Sequence, residues 1–170
     1  RVLGEDKEVA EAEAVITSLQ ESFHGNFFDE EIGYYLIPEQ AYQAMPLWVG
    51  AVPEEKREEI HARLIDLILV KRDGHVDTGL PATTFLLDYL EKSNNHETIY
   101  TIMNKTTYPS WVYMLEQGAT AIWEQWDGFW SQIHSCFAGP ASWFYTGLAG
   151  IRPTPEYPGF EAFELKPAFV

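Results

Sequence analysis

The chain is short of positive charge, has one cysteine and lacks any long apolar run, and each shortage removes a class of function. Lys and Arg number 11 against 26 Asp and Glu, for a net charge of −15 at pH 7. Phosphate backbones and anionic membrane surfaces are held by basic patches, so neither nucleic acid nor a membrane is an expected partner. A neutral ligand is not opposed. Cys136 stands alone, which excludes an internal disulfide, and with no catalytic partner motif near it the residue reads as a small buried side chain. No apolar stretch reaches the roughly 18 residues of a membrane-spanning helix. The opening RVLGEDKEVAEAEA carries charge where a signal peptide needs an apolar centre. It reads as though already inside a helical domain, the mark of a fragment or a processed product. Strand-like alternation is absent before residue 159.

Helical periodicity fills that space. Val9, Ala12, Ile16, Leu19 and Phe23 recur at three- and four-residue spacing and predict a helix over 5–24. A second is expected over 38–50, broken or kinked at Pro46. A third runs from Pro53 to about Lys71 with Ile60, Leu64, Leu67 and Ile68 on one face, and the acidic run Glu54–Glu59 forms its solvated side. Pro81 opens a fourth, a fifth spans 97–105, Pro109 begins a sixth that Gly118 stops, and a last covers 139–149. Seven helices with short turns predict an all-α assembly of helical hairpins. The tail differs: Pro153, Pro155 and Pro158 suggest a rigid linker, and 160–166 alternates like a strand with no sheet partner in view.

Chemistry concentrates in TTYPSWVYMLEQGATAIWEQWDG, residues 106–128. Four of the six tryptophans fall between Trp111 and Trp130, and Glu124 lies between Trp123 and Trp126. Indole faces suit the C–H faces of sugar rings, and a carboxylate held among them is what glycoside hydrolysis requires beside the scissile bond. The plainer readings are a glutamate pairing with a helix terminus or an arginine, and tryptophans that are simply core. Asp127 before Gly128 reads as a turn residue. His134 is a structural or a ligand-contacting histidine. His75 and Asp77 flank a glycine-bounded loop without a third ligand at useful spacing, so no metal and no cofactor is expected.

Several segments together carry a resemblance. Gln40 with Ala41 and Ala44 resembles a Gln- and Ala-rich helix start; Gly50-Ala-Val-Pro resembles a Gly-x-Val-Pro connection; Gly74-His75 with Thr78-Gly79 resembles a Gly-His-x-x-Thr-Gly loop. Tyr108-Pro-Ser-Trp with Tyr113-Met, and Gly118-Ala-Thr with Trp123-Glu124 and Trp126-Asp-Gly, are the most specific parts; His134, Trp143, Tyr145, Ala149-Gly-Ile and Pro158-Gly-Phe follow in order. Over nearly its whole length the chain is similar to glycoside hydrolase family 78, the bacterial and fungal α-L-rhamnosidases.

The resemblance implies that 1–152 is the later half of an (α/α)6 toroid, and that 153–170 is a linker plus the first strand of a C-terminal β-sandwich. It implies inverting hydrolysis of terminal α-L-rhamnosyl residues, with Glu124 as general base and His134 contacting the sugar. Trp123 and Trp126, beside Glu124, are the candidate sugar-stacking residues, and of these and Trp130 at least one is expected to face the sugar or shape its pocket. Its general acid belongs to an earlier loop with no counterpart here, so this chain alone is expected not to catalyse at an enzymatic rate. Two departures stand out. The loop from Glu124 to His134 is shorter than the family's by roughly ten residues, a change that loops tolerate. Ser142 and Thr146 replace the usual Glu and Arg.

Two functions follow. One is the C-terminal part of a rhamnosidase acting on a rhamnose-containing glycoside or polysaccharide. The other is a non-catalytic subunit or carbohydrate-binding module derived from a glycosidase. A sugar epimerase or unsaturated-uronyl hydrolase, which share helical toroids, is a weaker third. Half a toroid exposes apolar faces, so the remainder of the protein or a partner chain is expected to cover them.

Overall fold

Helix α1 (Asp6–Phe27) opens the computed structural model, which describes residues 6–154 and 156–170 apart from the side chains of Leu80, Cys136 and Pro158. The expectation of a buried Cys136 therefore lies outside the described residues, as does Pro155 of the expected linker. No residue of α1 is buried: Ile16 and Leu19 are 51% and 64% exposed. The helix is fastened at its C-terminal end. Gln20 donates to the Val49 carbonyl at 2.7 Å, His24 Nδ1 lies 2.7 Å from the Tyr35 hydroxyl, and Phe23 packs on the core.

Two residue pairs, β1 (Phe28–Asp29) and β2 (Tyr34–Tyr35), then form a short antiparallel ladder, which alternation did not predict. A ladder of two pairs carries no period. Side chains hold it: the Asp29 carboxylate accepts from the amides of Glu31 and Ile32, and buried Gln43 binds both the amide and the carbonyl of Tyr35.

Helices α2 (Gln40–Trp48), α3 (Glu54–Asp66), α4 (Leu80–Lys92), α5 (His96–Met103), α6 (Trp111–Glu116) and α7 (Gly139–Trp143) complete the set expected from periodicity. Pro46 does not end α2. It sits in the last turn with its carbonyl accepting from Ala51, and the helix runs through it. A proline that late forfeits a single helical donor. Both α3 and α7 finish in π-helical turns, Leu67–Lys71 and Phe144–Leu148, closed by bonds from Arg72 N–H to Leu67 and from Ala149 N–H to Phe144.

Helix α4 is the centre of the packing. It lies against α2, α5 and α7, and its Leu86, Leu87 and Leu90 join Ile60, Leu64, Ile68, Ile99, Ile102 and Trp143 in one core. This helical-hairpin assembly is the all-α toroid part that the sequence predicts.

The tail departs from the expectation of an unpaired strand. β4 (Phe163–Leu165) pairs antiparallel with β3 (Ile151–Pro153), Ile151 opposite Leu165 and Pro153 opposite Phe163. Pro153 lacks a ladder donor and so sits at the end of its strand. Gly150 makes the turn into β3 at φ +68°, where a Cβ would collide with the Lys166 backbone. Arg152 anchors the ladder to the helices by donating to the Thr146 carbonyl at 2.8 Å and reaching Glu91 of α4 at 3.4 Å.

Two histidines are held neutral within this frame. Burial pushes His61 and His96 below the ordinary imidazole value, and at His96 the charges of Arg152 and Lys166 add to the effect while Glu91 opposes it. The Trp143 indole N–H donates to His96 Nδ1 at 3.1 Å, which requires that nitrogen to be unprotonated. Below about pH 6.5 the unfolded chain takes up protons that the folded chain resists. Stability is therefore full above that pH and declines as pH falls towards the lowered folded values. Urea unfolding at about pH 7.5 and about pH 5.5 is expected to show lower stability at the acidic value. His96→Asn, which keeps an acceptor without titrating, is expected to narrow the gap.

Candidate active site

The site is built on the segment that leaves α6 and returns to α7. Its two limbs are joined at the base: Glu124 N–H donates to the Ser131 carbonyl and His134 N–H to the Ile122 carbonyl, each at 2.8 Å. The far end is a turn. Gly128 N–H donates to Gln125 O, and the Asp127 carboxylate accepts from Phe129 N–H at 3.0 Å, the turn role expected of an Asp-Gly pair. Phe129 and Trp130 meet edge to face at the tip, 72% and 61% exposed.

Trp126 fixes this segment to the helices. Its indole N–H donates to the Thr78 carbonyl at 3.1 Å, and its ring stacks on Phe137 at 4.0 Å and meets Trp111 edge-on at 4.9 Å. Trp111 in turn donates to the Phe137 carbonyl at 2.8 Å. The Thr78–Gly79 stretch is itself positioned by Gln40, buried at the start of α2, which donates to the His75 carbonyl and accepts from Asp77 N–H. Three sequence-distant segments thus meet around one indole.

Beside that indole lies a cleft of about 390 Å³ formed by Gly79, Tyr108, Glu124, Gln125, Trp126, Asp127 and Phe137. This volume lies within the ordinary range for small-molecule sites. Glu124 is 30% exposed on it, and one oxygen, Oε2, accepts from Ser131 N–H at 3.1 Å and lies 3.7 Å from His134 Nδ1. A partly sheltered carboxylate with a free face and an adjacent imidazole is suited to taking a proton from water.

The four candidate residues are therefore not equivalent. Glu124 and Trp126 line the cleft, and His134 stands beside Glu124 in spite of the short loop. Trp123 is 6% exposed and lies beneath the turn, against Gly128. His75 and Asp77 serve the scaffold: the His75 ring bridges the Arg72 carbonyl and the Thr107 hydroxyl, and Asp77 pairs with Arg72 at 2.8 Å. Among the described residues no group of three or more His, Cys, Asp and Glu is placed to hold a metal ion. Sequence reasoning missed Gly79, Tyr108, Gln125 and Phe137 as walls of the cleft. Gly79 and Tyr108 lie in motifs already singled out, whereas nothing in the order of residues marks Phe137 as Trp126's stacking partner.

Gly128 is the tight point. Its φ is +74°, and a Cβ there would approach the Trp123 ring to 2.8 Å. Gly128→Ala is expected to lower stability by roughly 1–3 kcal/mol, from the left-handed backbone and the contact together. Urea unfolding checks this, and a red shift of tryptophan emission is expected as Trp123 is displaced.

Comparison with known proteins shows the family and the fold of the chain. The family model for the bacterial alpha-L-rhamnosidase six-hairpin glycosidase domain matches residues 1–148. An alpha-L-rhamnosidase of Alteromonas sp. (strain LOR) is 29% identical over 177 residues, covering 97% of this chain and 19% of its own. The structure of alpha-L-rhamnosidase from Dictyoglumus thermophilum superposes with a TM-score of 0.80 at 31% identity, covering 89% of this chain and 18% of that one. The Streptomyces avermitilis alpha-L-rhamnosidase complexed with L-rhamnose gives 0.82 at 25% identity, covering 94% and 16%. The chain thus spans about 19% of the length of the Alteromonas protein. With the family model matching most of its residues, the chain belongs to the bacterial alpha-L-rhamnosidase six-hairpin glycosidase domain family.

Proposed function

We propose that this chain carries the general-base half of an inverting α-L-rhamnosidase active site, with Glu124 as the base. The observation that carries the reading is the Glu124 carboxylate, open to the cleft beside Trp126 and 3.7 Å from His134. In the reaction, Glu124 takes a proton from a water whose oxygen attacks the anomeric carbon. The bond to the leaving oxygen breaks on the opposite face, and that oxygen is protonated by a carboxylic acid. The two carboxyl groups of an inverting pair stand about 6.5–9.5 Å apart to leave room for the water. The acid belongs to a segment outside residues 1–170.

Trp126 and His134 are assigned to the sugar-facing wall. Trp123, sheltered under the turn, shapes that wall from behind. The substrate is a glycoside or polysaccharide with terminal α-L-rhamnosyl groups, a reading supported by the L-rhamnose named with the Streptomyces avermitilis structure. The apolar side of α1, with Val15, Ile16 and Leu19 exposed, is assigned to contact with the rest of the polypeptide or a partner chain.

The test is release of a chromogenic leaving group from an α-L-rhamnoside by the whole polypeptide that carries these residues. Glu124→Gln is expected to lower kcat by about 10²–10⁴-fold with little change in KM. Residues 1–170 alone are expected to give no turnover. Wild-type kcat in Glu124→Gln would remove Glu124 from the mechanism, and Glu124-dependent turnover by residues 1–170 alone would place the acid within them.

A further inference from the structure

We infer that Ser131 is a positioning residue for the Glu124 carboxylate, an assignment that rests on Glu124 being the general base. The Ser131 hydroxyl donates to the Ile133 carbonyl at 3.0 Å and accepts from the Ile133 amide at 3.3 Å. It thereby closes the turn that leads into His134. That turn aims two groups at a single oxygen. Ser131 N–H donates to Glu124 Oε2 at 3.1 Å, and His134 Nδ1 lies 3.7 Å from the same atom. Reciprocally, Glu124 N–H donates to the Ser131 carbonyl at 2.8 Å. Among the described residues none donates to Oε1.

The consequence is a carboxylate with two unlike oxygens. The terminal torsion of a glutamate is broad and nearly two-fold, so an unrestrained carboxylate samples orientations in which neither oxygen is aimed at a water. A hydrogen bond to an ionised acceptor is among the stronger ones, and here it fixes that torsion through Oε2. Oε1 is left as the atom that receives the proton. Ser131 does this without touching substrate, and its side chain matters because it holds the backbone N–H in place.

The experiment uses the whole polypeptide and a chromogenic α-L-rhamnoside. Ser131→Ala is expected to lower kcat about tenfold while KM stays within about twofold, the pattern of a lost contribution to the chemical step. Ser131→Thr keeps the hydroxyl and is expected to restore most of the rate. Ser131→Cys, similar in size with a weaker hydrogen-bonding group, is expected to fall between them and serves if the alanine variant does not fold.

A second arm separates positioning from general loop damage. In Glu124→Ala with added azide, azide nitrogen bonds to the anomeric carbon as the bond to the leaving oxygen breaks and the acid protonates that oxygen. Azide has no proton to surrender, so orientation of a base is irrelevant, and adding Ser131→Ala is expected to leave the azide-dependent rate unchanged. Wild-type kcat in Ser131→Ala, or an equal loss in the azide arm, overturns the inference about Ser131 alone. No turnover by the wild type, wild-type kcat in Glu124→Ala, or no rescue of that variant by azide overturns the reading of Glu124 beneath it.

Discussion

The hydrogen bond from the Trp126 indole to the Thr78 carbonyl is the constraint on which the site depends. Trp126 is 9% exposed and Thr78 2%, so neither atom has water as an easy alternative. A buried bond of this kind contributes only about 1 kcal/mol net, but leaving one partner unmet costs about 1–3 kcal/mol. The cleft segment therefore cannot slide on the helices without orphaning polar atoms and unstacking Phe137 together. Gln40 extends the constraint to α2, since the Thr78 stretch follows directly from the residues it clamps. Among the described residues no buried side-chain nitrogen or oxygen is left without a partner, as such a chain of fixed contacts demands.

The carboxylate and its neighbours occupy the next level. Glu124 sits two residues before Trp126, so fixing the indole fixes the backbone from which the carboxylate projects. The remaining freedom is rotation of the carboxylate, and the same segment limits it through the Ser131 N–H, with His134 alongside. Position comes from a long-range contact, and orientation from residues within ten places in the chain. These are separate tasks, carried by residues with different burial.

How much of this was legible in the sequence follows from the range of each interaction. Periodic helices declare themselves locally, and Pro53 at the N-cap of α3 and Pro81 in the first turn of α4 gave their starts. The two-residue strands of β1 and β2 have no period to display, and their stability lies in Asp29 and Gln43 side chains rather than in alternation. β4 was visible, but its partner β3 is a run of Ile, Arg and Pro that reads as the beginning of a linker. Pro46 looked like a breaker because proline signals the same way wherever it stands, whereas α2 runs on through it to Trp48. At the site, Glu124 and Trp126 were marked by tryptophan crowding. The same crowding could not distinguish Trp126 on the cleft from Trp123 beneath the turn, because both are apolar neighbours of one glutamate. Ser131 carried no signal, since its effect passes through a backbone N–H that every residue but proline possesses.

The pairing at the base of the Glu124–His134 segment also separates its tip from its stem. The two bonds that join its limbs, Glu124 to Ser131 and Ile122 to His134, leave Phe129 and Trp130 outside the closure. Residues can be inserted or deleted at that tip with the two bonds below it intact, much as a hairpin tolerates a longer loop on an unchanged stem. The length of the tip is thereby uncoupled from the contacts that support the Glu124 carboxylate.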